Sequence, residues 1–147
     1  MHSFHILVVE DFERFRTLVC TLLQQNDHFR VSEASDGHEA IQQFRALAPD
    51  LMLLDIGLPE VNGLDVARKL NSASRILFLS QESSWDVVEE ALRFGAGYVH
   101  KRDVRGELLP AIETVLEGKQ YVSSSLKLAG SDGLQGSQSL VSVNRSS

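Results

Sequence analysis

The chain has 147 residues, 43% hydrophobic and 23% charged, which suits one globular domain with a single core. Its formal net charge of −6 argues against nucleic acid or an anionic membrane as main partner, since both attract basic surfaces. Cys20 stands alone and excludes an intramolecular disulfide, no apolar stretch is long enough to span a bilayer, and Met1-His2-Ser3-Phe4-His5 lacks the basic region of a secretory signal, so a cytoplasmic setting is expected.

In chain order, His5-Ile6-Leu7-Val8-Val9 is a short apolar run that ends in acids, Glu10 and Asp11, and it predicts a buried strand. Phe15, Leu18, Val19, Leu22 and Leu23 then fall on one face of a helix that fades at Gln24 to Asp27. Arg30 to Ala34 predicts a second strand, and Ser35-Asp36-Gly37 a turn. Ala40, Ile41, Phe44, Leu47 and Ala48 predict a second helix, closed by Pro49. The unbroken run Leu51 to Leu54 ends in Asp55, with Gly57 and Pro59 stopping it. Such a run reads as a strand covered on both faces, as in parallel sheets.

Asn62 is placed to cap a third helix, Gly63 to Leu70. Arg75 to Ser80 is a fourth strand with a hydroxyl at its end. Ser83 with Asp86 has the spacing of a capping box and predicts a helix burying Val88, Ala91 and Leu92, ended by Gly95. Gly97 to His100 is a brief fifth strand, with Lys101 at its tip. The last helix is expected to run to about Glu117, with Gly118 stopping it and Pro110 forcing a late start or a kink. Five strand–helix alternations predict a doubly wound α/β fold: a five-stranded parallel sheet with helices on both faces. From Ser123 the chain is rich in Ser and Gly, so a domain over 4–122 and a flexible tail over 123–147 are expected.

Parallel strands bring their C-terminal ends to one crevice, where ligands bind in folds of this kind. Glu10, Asp11, Asp55, Ser80 and Lys101 would meet there. Carboxylates so close together repel unless a cation sits among them, and an all-oxygen donor set calls for Mg²⁺. A carboxylate beside a metal can take a phosphoryl group as nucleophile. On this reading Asp55 is the phosphoacceptor, Lys101 supplies positive charge to the phosphoryl oxygens, and Ser80 supplies a hydroxyl donor.

Glu10-Asp11, Asp55, Pro59 with Gly63, Ser80, and Tyr98 with Lys101 together resemble the receiver domain of bacterial response regulators, over roughly residues 4–122. The resemblance implies the flavodoxin-like strand order 2-1-3-4-5. It also implies direct Mg²⁺ ligation by Asp11, Asp55 and the Gly57 carbonyl, with Glu10 acting through water. Ser80 and Tyr98 would be the switch pair, Tyr98 turning inward as the hydroxyl approaches the phosphoryl group. The implied donor is a sensor histidine kinase or phosphotransfer protein, and the output is a downstream protein partner docking on the fourth helix, fifth strand and last helix. A homodimer is left open. Such a domain assists its own phosphorylation and dephosphorylation without being a turnover enzyme.

The sequence departs from the pattern at two places. Arg102 follows Lys101 where many receivers carry proline. His100, between Tyr98 and Lys101, is unusual, and whether it acts on phosphoryl lifetime or partner choice is left open. Gly95-Ala96-Gly97-Tyr98 and Leu108-Leu109-Pro110-Ala111-Ile112 resemble the subgroup that precedes a helix-turn-helix domain. Residues after Ser123 are too few and too little basic for that module, so a stand-alone receiver without direct DNA binding is expected. The alternative is a degenerate receiver that binds partners without phosphorylation. A phosphohydrolase with a second Asp two residues on is disfavoured by Gly57. Trp85, near the start of the fourth helix, is a candidate partner contact.

Overall fold

Apolar strands buried on both faces demand helices on both faces, and the computed structural model, which describes residues 3–127, has them. The strands are β1 (Phe4–Val9), β2 (Phe29–Ala34), β3 (Leu51–Asp55), β4 (Ile76–Ser80), β5 (Gly97–His100) and β6 (Tyr121–Val122). Between them run α1 (Glu13–Gln24), α2 (Gly37–Leu47), α3 (Gly63–Leu70), α4 (Trp85–Phe94) and α5 (Val104–Leu116). All strand pairs are parallel, in the order β2-β1-β3-β4-β5-β6. Among the described residues no helix is long and apolar enough to cross a membrane.

Alternate side chains of each central strand enter opposite cores. Leu7, Met52, Leu54 and Phe78 pack with α2, α3 and α4 residues such as Phe44, Val66 and Val88. Ile6, Leu51, Leu53 and Leu77 pack with Val19 and Leu23 of α1 and Leu108 and Ile112 of α5. Local caps behave as the residue types dictate at two helices: Asp36 accepts from Glu39 N and Asn62 from Asp65 N.

Three expectations need correction. The sheet has six strands, not five, because β6 adds to the β5 edge with Gly97 opposite Tyr121 and Tyr98 opposite Val122. The tail boundary at Ser123 falls inside packed structure, since Ser123 is fully buried and Leu126 is 1% exposed. The rest of that stretch, from 128, lies outside the described residues. Ser83 and Asp86 do not form a capping box, for Ser84 is the N-cap of α4 and makes no side-chain cap bond. Of the two outcomes expected at Pro110, the late start does not occur. The helix starts at Val104 and runs through Pro110, which sits exposed where water can reach the carbonyl left without a donor. Gly95 does follow α4, but in extended conformation, φ −143°. Its reason is space, since a Cβ there would lie 2.5 Å from the Phe78 ring.

Candidate functional site

The strand order carries β1, β3, β4 and β5 side by side, so their C-terminal residues face one open depression of about 470 Å³. Glu10, Asp11, Asp55, Gly57, Ser80 and Lys101 all line it. One carboxylate oxygen each from Glu10, Asp11 and Asp55 lies within 4.8 Å of the others. Lys101 Nζ is 2.8 Å from Glu10 Oε1 and 3.3 Å from Asp55 Oδ2. Gly57 N donates to Asp55 Oδ1 at 3.1 Å.

One ammonium against three carboxylates leaves an excess of negative charge. Glu10 shows the consequence. It is 2% exposed, and burial, with the Asp55 charge adding to it, outweighs Lys101 and holds its carboxyl above the usual range. Its Oε2 accepts from Phe12 N at 2.9 Å, and its buried Oε1 has the Lys101 ammonium, 2.8 Å away, as its one close partner. Three carboxylate oxygens so close together, with one ammonium between them, suit a hard divalent cation, and the all-oxygen donor set fits Mg²⁺. Among the described residues this is the only cluster of that kind.

Ser80 is 3% exposed, and its Oγ accepts from Glu82 N at 3.1 Å. Tyr98 lies fully buried, ring inward, and its hydroxyl donates to Glu82 O at 2.9 Å. Burial pushes the phenol up to about 12, with the Ser80 hydroxyl pulling the other way. Trp85 is half-buried against the core on that side of the sheet.

Sequence reasoning brought the acids, the hydroxyl and the lysine together, and missed their supports. Arg16 of α1 donates through Nη1 to the Glu10 carbonyl at 2.8 Å and through Nε to Glu33 Oε1 at 2.9 Å, tying the first acidic tip to β2. Phe15 lies under Lys101 Nζ at 4.7 Å from the ring centroid. Both sit in a helix where periodicity reports which face is buried and says nothing of what lies beyond its start. Gly63 has a sharper reason: a Cβ there would overlap the Asp55 carbonyl oxygen, while its own N–H donates to Ile56 O at 2.9 Å. Glycine lets α3 begin against the strand that carries Asp55.

A parallel sheet covered on both faces, with its charged groups gathered beyond the carboxyl edge, defines a doubly wound α/β domain of flavodoxin-like topology. The family description "Response regulator receiver domain" matches residues 6–113, and the chain belongs to that family of two-component signalling modules. Nitrate/nitrite response regulator protein NarL of Escherichia coli (strain K12) is 36% identical over 126 residues, 82% of this chain and 58% of that protein. Transcriptional activator protein ExaE of Pseudomonas putida is 32% identical over 126 residues, 82% of this chain and 59% of its own length. The chain thus spans somewhat over half the length of these relatives. A LuxR-family two-component response regulator from Aurantimonas sp. SI85-9A1 superposes with TM-score 0.80 at 27% identity, covering 86% of this chain and 94% of that one. The signal receiver domain of NarL from Mycobacterium tuberculosis gives 0.75 at 29% identity, covering 81% and 100%.

Proposed function

We propose that this receiver accepts a phosphoryl group on Asp55 with the help of Mg²⁺, and signals by changing a protein-binding surface. The observation that carries this reading is Lys101 Nζ at 3.3 Å from Asp55 Oδ2 in the basin where three carboxylates converge. Glu10, Asp11, Asp55 and the Gly57 carbonyl are the groups that would hold the metal. When bound, Mg²⁺ would neutralise charge on the phosphoryl oxygens and on the acids.

The chain's own residues supply the rest. An Asp55 carboxylate oxygen attacks phosphorus, an O–P bond forms, and the P–N bond to the donor's phosphohistidine breaks, the imidazole leaving with the electron pair and taking up a proton. Lys101 exchanges its contact with Asp55 for one with the incoming oxygens. Ser80 gives up acceptance from Glu82 N and donates to the phosphoryl group, which carries more negative charge than the carboxylate it replaces. Tyr98 stands on Glu82 O, in the loop that Ser80 begins, so a shift of that loop reaches α4, β5 and α5.

The donor is a sensor histidine kinase or phosphotransfer protein, and the reader is a protein partner or a second copy of the chain docking on the α4–β5–α5 side, where Trp85 opens α4. The chain assists its own loading and hydrolysis and does not turn over a substrate in bulk. A cytoplasmic location, beside a kinase's catalytic domain, belongs to the same proposal. Intact mass after incubation with acetyl phosphate and Mg²⁺ tests it. The parent should gain one phosphoryl group and Asp55→Asn none. Equal gains would place the acceptor elsewhere, and no gain in the parent would leave a partner-binding module that works without phosphorylation.

A further inference from the structure

Glu10 and Asp11 carry two of the three carboxylates in the basin, and they are neighbours in the loop between β1 and α1. Burial does little to hold that loop, since Asp11 is exposed and Phe12 is 60% exposed. Among the described residues no group donates a hydrogen bond to the Asp11 carboxylate, so its place depends on the backbone that carries it.

That backbone is fixed by hydrogen bonds. Glu10 N donates to Ala34 O on β2 at 3.1 Å, Phe12 N to Glu10 Oε2 at 2.9 Å, and Arg16 N to Phe12 O at 3.0 Å. The Glu10 carbonyl belongs to the peptide that joins the two acids, and it accepts from Arg16 Nη1 at 2.8 Å. A peptide is planar, so fixing its oxygen fixes the plane from which both Cα atoms, and both side chains, depart.

Arg16 is itself immobilised. Its side chain is 17% exposed, its Nε donates to Glu33 Oε1 at 2.9 Å, and it stands on α1, which Val19 and Leu23 anchor in the core. The planar guanidinium thus spans β2 and the β1–α1 loop with donors of fixed geometry. Its charge alone would oppose a metal, because a cation beside a cation site repels the ion. Its two bonds favour one by arranging the ligands.

We infer that Arg16 is a positioning residue for the divalent cation: by holding the Glu10–Asp11 peptide it keeps both carboxylates turned towards Asp55. The inference rests on the metal reading of the basin and adds a residue that does not line it. Groups that orient metal ligands from behind contribute about 10–100-fold to affinity where they bond the ligating group itself. A bond to the ligand's backbone should give the lower end of that range, about tenfold.

Charge and position make opposite predictions, which substitution separates. R16M removes the bonds and the charge, and loss of the charge by itself would tighten Mg²⁺ binding. R16K keeps the charge without the planar fork that reaches Glu10 O and Glu33 together. Mg²⁺ is titrated calorimetrically into the metal-free full-length parent, R16M and R16K, with urea unfolding of each in the absence of metal. R16M is expected to bind about tenfold more weakly than the parent, and R16K about three- to tenfold more weakly. A purely structural arginine would lower the urea midpoint and leave the dissociation constants alone. Constants within twofold of the parent in both variants, or tighter binding by R16M, would overturn the inference whatever the midpoints show. Should R16M not fold, R16K decides by itself: weaker binding supports the positioning role, and a parent-like constant overturns it. A parent that binds no Mg²⁺ overturns the metal reading and this inference with it.

Discussion

The two edges of the sheet treat polar groups in opposite ways. At the amino edge, near the starts of β1, β3 and β4, buried or half-buried groups find partners. His5 N donates to Asp50 Oδ2 at 2.7 Å, and the His5 ring bonds Ser32 Oγ at 2.7 Å. Arg75 donates through Nε to Pro49 O at 3.1 Å and lays its guanidinium 4.4 Å from the centre of the Phe44 ring. At the carboxyl edge three carboxylates crowd around one ammonium, which Glu10 and Asp55 share. The first edge is arranged for folding alone. The second gathers more negative than positive charge, and that excess opposes folding.

Substitution should separate the edges, most strongly at the centre of the basin. Lys101→Ala is expected to slow acetyl phosphate labelling of Asp55 by about 10²–10³, since it removes a positive group aimed at the charge that develops on the phosphoryl oxygens. Intact mass against time measures it, and a rate within a few fold of the parent would sink the assigned role. Next in size is Asp50→Ala, which strips the acceptor from His5 N and should destabilise the fold by about 1–3 kcal/mol in urea unfolding, with labelling unaffected.

Glu10→Gln should act with the opposite sign. It removes one of the clustered charges and is expected to stabilise the Mg²⁺-free chain by about 1 kcal/mol while weakening its stabilisation by added Mg²⁺. Lower stability without metal would mean that Glu10 and Lys101 form a favourable pair.

The pH dependences should differ in sign as well. Glu10's carboxyl is raised in the folded chain, chiefly by burial. Its contribution is therefore most favourable below the ordinary 4.5 and is lost as pH rises through the raised folded value. His5 is lowered, by burial first and then by Arg30, so its contribution is present above 6.5 and is lost as pH falls through the lowered folded value. Urea unfolding of the parent and Glu10→Gln from pH 4 to 8 isolates the first effect. The stability gap in favour of the variant should be near zero at the acid end and widen as pH rises. A gap independent of pH would remove burial of the Glu10 charge as its cause.

The same contrast explains what could be read before any coordinates. Apolar runs with polar stops placed β1, β3, β4 and β5, and the residue just past or at each strand end was enough to assemble Glu10, Asp11, Asp55, Ser80 and Lys101. That works because a covered parallel strand must be continuously apolar, so a charge at its tip is conspicuous in one dimension. Local chemistry was less dependable at α4. Ser83-Ser84-Trp85-Asp86 offers two serines for one cap, and the turn geometry that selects Ser84 is set by the loop leaving β4.

What the amino-acid order by itself determined is the alternation of strands and helices, the covered sheet and the identity of the groups at its carboxyl tips, because each depends on periodicity or on an abrupt end to it. Tertiary structure decided the sixth strand, the burial of Ser123 and Leu126, the Arg16 tie to Glu10 and the His100 bond to Gln81. Tyr121-Val122 is too short to announce a strand and becomes one through the free edge of β5. The His100 ring has no local signature, since its partner lies nineteen residues away and is a backbone carbonyl that any residue would have provided. Contacts of that kind are set by strand register and loop path, and those follow from the packing of the whole domain.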